Sequence, residues 1–246
     1  MKMQDKKLIQ QQKADDQKRR LAEIKARRRG EVNLERKEPI LSEKPTILIY
    51  CEGKNTEPSY FNKFRLTSLT VDSFGEGRNT LSLVERAKKI SEKKSYDQVW
   101  CVFDADPKPD NPKQLDNFNK AIVLANNLGF GVAYSNQAFE YWLILHFEDH
   151  QGGTMDRSIY GDKINSYVNK LGVHYDYDGS KEIHQDLFNL LESIVYIDRD
   201  NNQYSRRDIA IKRAEKIYNN LEHTNPGKEE SSTTIFKLVS ELKKYE

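Results

Sequence analysis

Runs of strand-forming residues alternate along this chain with stretches in which apolar side chains recur every three to four positions. "TILIYC" (46–51) is bounded by Pro45 and Gly53 and predicts a strand buried on both faces. "TEPSYFNKFRLTSL" (56–69) follows at helical spacing through Tyr60, Phe61, Phe64 and Leu69, with Thr56 as N-cap and Pro58 in the first turn. Leu81, Val84, Ala87 and Ile90 predict an amphipathic helix within 79–98. "QVWCVF" (98–103) reads as a second buried strand, ended by "DADPKPDNP" (104–112), whose prolines forbid regular structure. "LDNFNKAIVLANNLG" (115–129) predicts a helix stopped by Gly129, "FGVAYS" (130–135) a third strand, and "NQAFEYWLILHFE" (136–148) a further helix. Beyond "HQGGT" the chain is polar, with helical stretches at 156–172, 181–198, 205–222 and 232–246.

Strands alternating with helices predict an α/β core over residues 45–150, a mainly parallel sheet flanked by helices, with a helical C-terminal part, 151–246, packed on it. Charge changes the picture at one end only. Residues 1–38 hold thirteen Lys/Arg against seven Asp/Glu, although the whole chain carries only +2. Residues 1–44 therefore read as a basic arm, either a solvated helix or a disordered segment, standing free or touching nucleic acid or a partner protein. The longest apolar runs fall far short of the roughly 20 residues a membrane-spanning helix needs. The N-terminus lacks the apolar core of a secretory signal, so a cytoplasmic protein with reduced Cys51 and Cys101 is expected, both as buried strand residues.

In open parallel sheets, ligands bind beyond the carboxyl ends of the strands. Glu52 and Glu57 follow the first strand, Asp104 and Asp106 the second, and Ser135, Asn136 and Glu140 the third. If the chain is extended at Asp104 and Asp106, both carboxylates point to one side and can hold a hard divalent cation such as Mg²⁺ or Mn²⁺. Glu52 can complete such a site or act as a general acid/base, the chemistry of phosphodiester cleavage. Each acid alone has a plain alternative as a turn residue. Lys54 stands beside this edge and can meet a phosphate; Arg206 and Arg207 can track a nucleic-acid backbone or form a solvated basic face. His146 reads as a core histidine, and Ser232, Thr233 and Thr234 as the cap of the last helix.

"ILIYCEGKNTEPSYF", "VWCVFDADPKPDN", "AYSNQAFEYWLILHFE" and "SSTTIFKLVSEL" resemble the successive motifs of the RloB-like family, whose core is similar to the Toprim fold. The resemblance spans about residues 45–242. It implies Glu52 as general acid/base or metal-site residue and Asp104 and Asp106 as Mg²⁺ ligands. It makes Glu57 a further catalytic ligand or a loop-fixing residue, and Glu140 a metal support or an orienter of its helix. It also implies a nuclease effector of bacterial antiviral defence, acting on DNA or RNA, tRNA included, with an ATPase partner. A non-catalytic Toprim-like module that binds nucleic acid or that partner is the competing reading. A haloacid-dehalogenase-type phosphatase is set aside, because the Asp-x-Asp follows the second strand and is followed by Pro107.

Overall fold

The structure, a computed structural model, describes residues 11–25 except 14 and 24, and residues 44–246 except 74–79, 109, 110, 112 and 152. The described N-terminal residues are helical and exposed, with an i,i+4 pair between Arg19 and Glu23 at 4.0 Å. The other residues of the expected basic arm lie outside the described set, apart from Lys44. Lys44–Glu246 forms one compact unit.

That unit is built on four parallel strands, β1 (Ile47–Cys51), β2 (Leu69–Ser73), β3 (Gln98–Asp104) and β4 (Gly131–Ser135), in the order β2-β1-β3-β4. Short helices α1 (Thr56–Phe61) and α4 (Glu140–Leu145) leave β1 and β4; α2 (Thr80–Lys93) and α3 (Lys113–Asn127) precede and follow β3. Leu48, Tyr50, Cys101 and Phe103 pack on α2 and α3 through Val84, Ala87, Phe118 and Ala121. The opposite face, Ile47, Ile49, Cys51, Val102 and Ala133, is covered by α1, α4 and the C-terminal helices α5 (Tyr160–Val168), α6 (Gln185–Leu191), α7 (Arg206–Asn219) and α8 (Ile235–Lys243). Both cysteines are free and buried. Burial on both faces explains why β1 reads as a continuous apolar run.

Three expectations are corrected. The helix predicted over 56–69 ends at Phe61, and the chain then turns into β2. Phe64 keeps its place in an aromatic cluster with Tyr60 and Phe61 from a turn, so its spacing mimicked helix. The helix predicted over 181–198 stops at Leu191, and "IVYI" forms β5 (Ile194–Ile197), antiparallel to β6 (Gln203–Ser205). Its β-branched residues, Ile194, Val195 and Ile197, exposed at 41–53%, continued an apolar pattern that belongs to no helix. Of Ser232, Thr233 and Thr234, expected to cap the last helix, only Thr233 reaches a helix N–H, its Oγ1 accepting from Ile235 N at 3.3 Å, while the N-cap residue Thr234 makes no side-chain cap bond. The segment instead bridges antiparallel to β4 through Thr233 and Ser135. Asn136 N donates to Ser232 O at 2.9 Å, and Tyr134 N donates to Thr234 Oγ1 at 2.8 Å. The bridge closes the sheet edge at β4 and ties the last helix to the strand that leads to Glu140. Gly129, at φ +73°, ends α3 as expected.

Candidate active site

The site starts where the ladder stops. Glu52 N still donates to Val102 O at 2.9 Å, so the Glu52 side chain leaves from the last rung of β1. Its Oε2 accepts from Asp104 N at 3.2 Å. Asp104 closes β3 opposite Ser135, and its Oδ2 accepts from Phe139 N at 3.1 Å, just ahead of α4. Two backbone N–H groups thus fix the two carboxylates with respect to each other and to the helix.

The extended geometry expected for Asp104 and Asp106 does not hold. Asp106 adopts a left-handed φ of +42°, a conformation that a non-glycine residue reaches only at some cost, and its carboxylate is held by Arg157 and, at 3.3 Å, by Lys108. Glu57 sits in the first turn of α1, 6% exposed. A Cβ on Gly53 would come within 2.5 Å of Glu57 Oε2, so only glycine lets that carboxylate fold against the β1–α1 loop. Glu140 is 4% exposed, and its Oε1 accepts from the Tyr175 hydroxyl at 3.0 Å.

All five acids line one cavity of about 290 Å³, with Arg157 and Lys181 as the cations on its wall. Burial raises the Glu52 pKa to about 7, with the Asp106 charge adding to it and the Asp104 N–H opposing it. Burial, then Glu140 and Glu52, raises Glu57 to about 7 against the pull of backbone N–H groups. Asp104 is pushed well above the usual carboxylate range by burial and then by Glu57, Glu140 and Glu52, with Arg157 opposing. Crowded, buried carboxylates of this kind either keep protons or recruit a cation.

The donor set, all oxygen and in excess of its cations, fits a hard divalent ion. Among the described residues no three His, Cys, Asp or Glu side chains converge tightly enough to hold one as they stand. The reasons are visible: an oxygen of Glu52 and one of Asp104 face backbone N–H groups, and Asp106 is drawn to Arg157.

The remaining sequence-derived residues lie elsewhere. Lys54 is exposed on the loop after β1 and does not line the cavity. Arg206 packs over the Phe147 ring at 5.1 Å and donates to Ser193 Oγ at 3.2 Å. Arg207, only 7% exposed, binds Glu246 through two hydrogen bonds of 2.8 and 2.7 Å and pairs with Glu192 at 3.2 Å. It is therefore an internal tie between α7, the turn after α6 and Glu246, and it cannot track a nucleic-acid backbone. Arg207→Ala leaves Glu192 without its cation and is expected to lower stability by about 3 kcal/mol. Thermal melting checks the loss, and filter binding should give the same affinity for a 20-mer oligonucleotide at a temperature where both forms are folded. His146 is a core histidine: Nδ1 donates to Trp142 O at 2.9 Å, and burial lowers its pKa to about 3.

Arg157, Lys181 and Tyr175 were not legible as site residues. They come from the C-terminal half, far from any motif, and nothing local separates Arg157 from the other basic residues among 40 Lys and Arg. A single signal was available, Asp156 preceding Arg157: its carboxylate accepts from Ser158 N at 2.8 Å and starts the 3-10 turn Arg157–Ile159.

Fold and site together define an α/β protein with a carboxylate-lined cavity at the carboxyl edge of a four-stranded parallel sheet. The family model described as RloB-like protein matches residues 47–242, and the chain belongs to that family. The matched segment contains all five cavity acids. No curated protein and no solved structure matches the chain. No helix among the described residues is long and apolar enough to cross a membrane.

Proposed function

We propose that this cavity is the active site of a Toprim-like, metal-dependent nuclease that hydrolyses phosphodiester bonds of DNA or RNA. The observation that carries the reading is the gathering of Glu52, Glu57, Asp104, Asp106 and Glu140 from three strand ends around one cavity walled by Arg157. In this reading Asp104, Asp106 and Glu140 offer oxygens to Mg²⁺ or Mn²⁺. When bound, such an ion lowers the pKa of a coordinated water and offsets charge on the leaving oxygen. Glu52, with a pKa of about 7, is poised to take or give a proton near neutral pH. Its Oε2 is engaged by Asp104 N, which leaves Oε1 for that proton. Glu57, also at about 7 and held over Gly53, fixes the loop and supplies a second acid. Arg157 and Lys181 stand where a phosphate entering the cavity would meet them. We extend the proposal to an effector of antiviral defence that acts with an ATPase partner, on the strength of the sequence resemblance alone.

One observation favours a non-catalytic binding module instead: Asp106 is already neutralised by Arg157 and Lys108. The two readings separate in one assay. Purified protein, with and without the ATPase partner, is incubated with duplex DNA, single-stranded DNA and total tRNA in Mg²⁺, Mn²⁺ or chelator. Chelator-sensitive cleavage of any substrate is expected. Chelator-insensitive binding with no cleavage, partner present, would remove the nuclease assignment in favour of the module.

A further inference from the structure

A second cavity, of about 350 Å³, opens beside the first residues of β4 and has no part in the carboxylate site. Its walls are aromatic. The Trp100 indole leans across Gly131, where a Cβ would lie within 2.4 Å of the ring, so the glycine is what gives the indole its place. Across the cavity the Tyr218 and His223 rings stack at 3.9 Å with 22° between their planes. Lys237 Nζ sits 3.8 Å from the Tyr218 centroid, and the exposed Asn126 completes the rim. His223 holds this position at a left-handed φ of +60°, with Nδ1 3.4 Å from Glu229 Oε2. A non-glycine residue kept in that conformation, stacked and exposed, marks a place where local strain is retained.

We propose that this cavity binds a nucleobase. Tyr218 is covered by His223 and by Lys237, so the stacking faces are those of the exposed His223 and of Trp100; the Lys237 ammonium next to them suits the attached phosphate, and an asparagine amide can read a base edge. The volume takes one nucleoside and not a peptide helix or a β-strand. The base belongs either to a free nucleotide or to a single-stranded nucleic acid, and the chemistry on the wall is the same for both. The inference does not depend on cleavage at the carboxylate cavity.

The chain supplies its own reporter. It has two tryptophans, and Trp142 is fully buried, so a change in emission on base stacking comes from Trp100. AMP, GMP, CMP and UMP are titrated in one arm and a short single-stranded oligonucleotide in the other, with the same probes followed by equilibrium dialysis. Saturable quenching by mononucleotides assigns a free nucleotide; quenching by the oligonucleotide alone assigns a strand. His223→Gly removes the stacked ring and relieves the positive φ, and Lys237→Ala removes the cation; each should weaken binding about tenfold while melting as the parent does. Either of two results overturns the proposal: no quenching by any probe, or binding unchanged in both variants. Chelator has no effect on this binding, which keeps its outcome distinct from that of the nuclease assay.

Discussion

Asp104→Asn is expected to reduce metal-dependent cleavage by about a thousandfold, in the range that single electrostatic groups command in active sites, while making the protein more stable. The two effects have one origin. Asp104 is pushed well above its ordinary pKa by burial and by three neighbouring acids, so without a cation the fold disfavours its ionised form. An asparagine keeps the shape, and its Oδ1 still accepts the Phe139 N–H that holds Asp104 today. Its amide also donates into a cavity rich in acceptors, where the aspartate only repels. Asparagine does not titrate, so the gain in stability over the parent is expected to grow as pH rises and the unfolded chain releases a proton that the fold retains on Asp104. A fluorogenic cleavage assay in Mg²⁺ and thermal melting at pH 8 check the pair. A variant that cleaves as well as its parent would end the assignment of Asp104 to catalysis. One that is inactive but also less stable would mean that Asp104 is a structural residue.

The opposite signs of these effects reflect how the site is written into the sequence. Glu52 and Asp104 were legible because each follows a run of strand formers, and strand ends in a parallel sheet share an edge. The rule places residues without knowing any contact. Glu57 and Glu140 stood in view beyond the ends of the first and third predicted strands, but their burial was not, because it depends on Gly53 and on Tyr175, the latter more than thirty residues downstream of Glu140. Asp106 was placed correctly at the cavity for an incorrect reason: the local chain is left-handed and its carboxylate is turned to Arg157. Arg207 shows the converse. Its sequence context, a doubled arginine opening a helix, reads as a basic face, yet Glu192 and Glu246 draw it inside. Tertiary partners distant in sequence decide such positions. The missed strand β2 and hairpin β5–β6 fail in another way, because apolar residues that follow a helix in sequence can keep its spacing after the backbone has left it.

Stability without metal should fall as pH rises from about 4.5 to about 7 and level off above, the reverse of what ordinary salt-bridged acids give. In the fold Glu52 and Glu57 titrate at about 7; in the unfolded chain they return to the usual glutamate range near 4.5. Below that range both states are protonated, and the groups contribute nothing that depends on pH. Between the two values the unfolded chain releases protons that the fold retains, so ν is larger for the native state and the free energy of unfolding decreases with pH. For a displacement of this size each group accounts for up to about 3 kcal/mol. Glu192, raised to about 7 by burial near Arg207, adds a contribution of the same sign outside the cavity. Glu52→Gln therefore separates the two sources: it should flatten part of the pH dependence and leave the Glu192 part intact. A divalent cation held by the cavity acids binds only the folded chain, and at about a hundred times its Kd restores about 2.7 kcal/mol. Melting from pH 5 to pH 8, with Mg²⁺ and then with chelator, checks both halves. A chelator-reversible gain that is largest at pH 8 and shrinks towards pH 5, where protons already relieve the repulsion, is the expected result. A melting temperature that ignores pH over this range would remove the buried-carboxylate account, and one that ignores Mg²⁺ at pH 8 would remove the metal from the site.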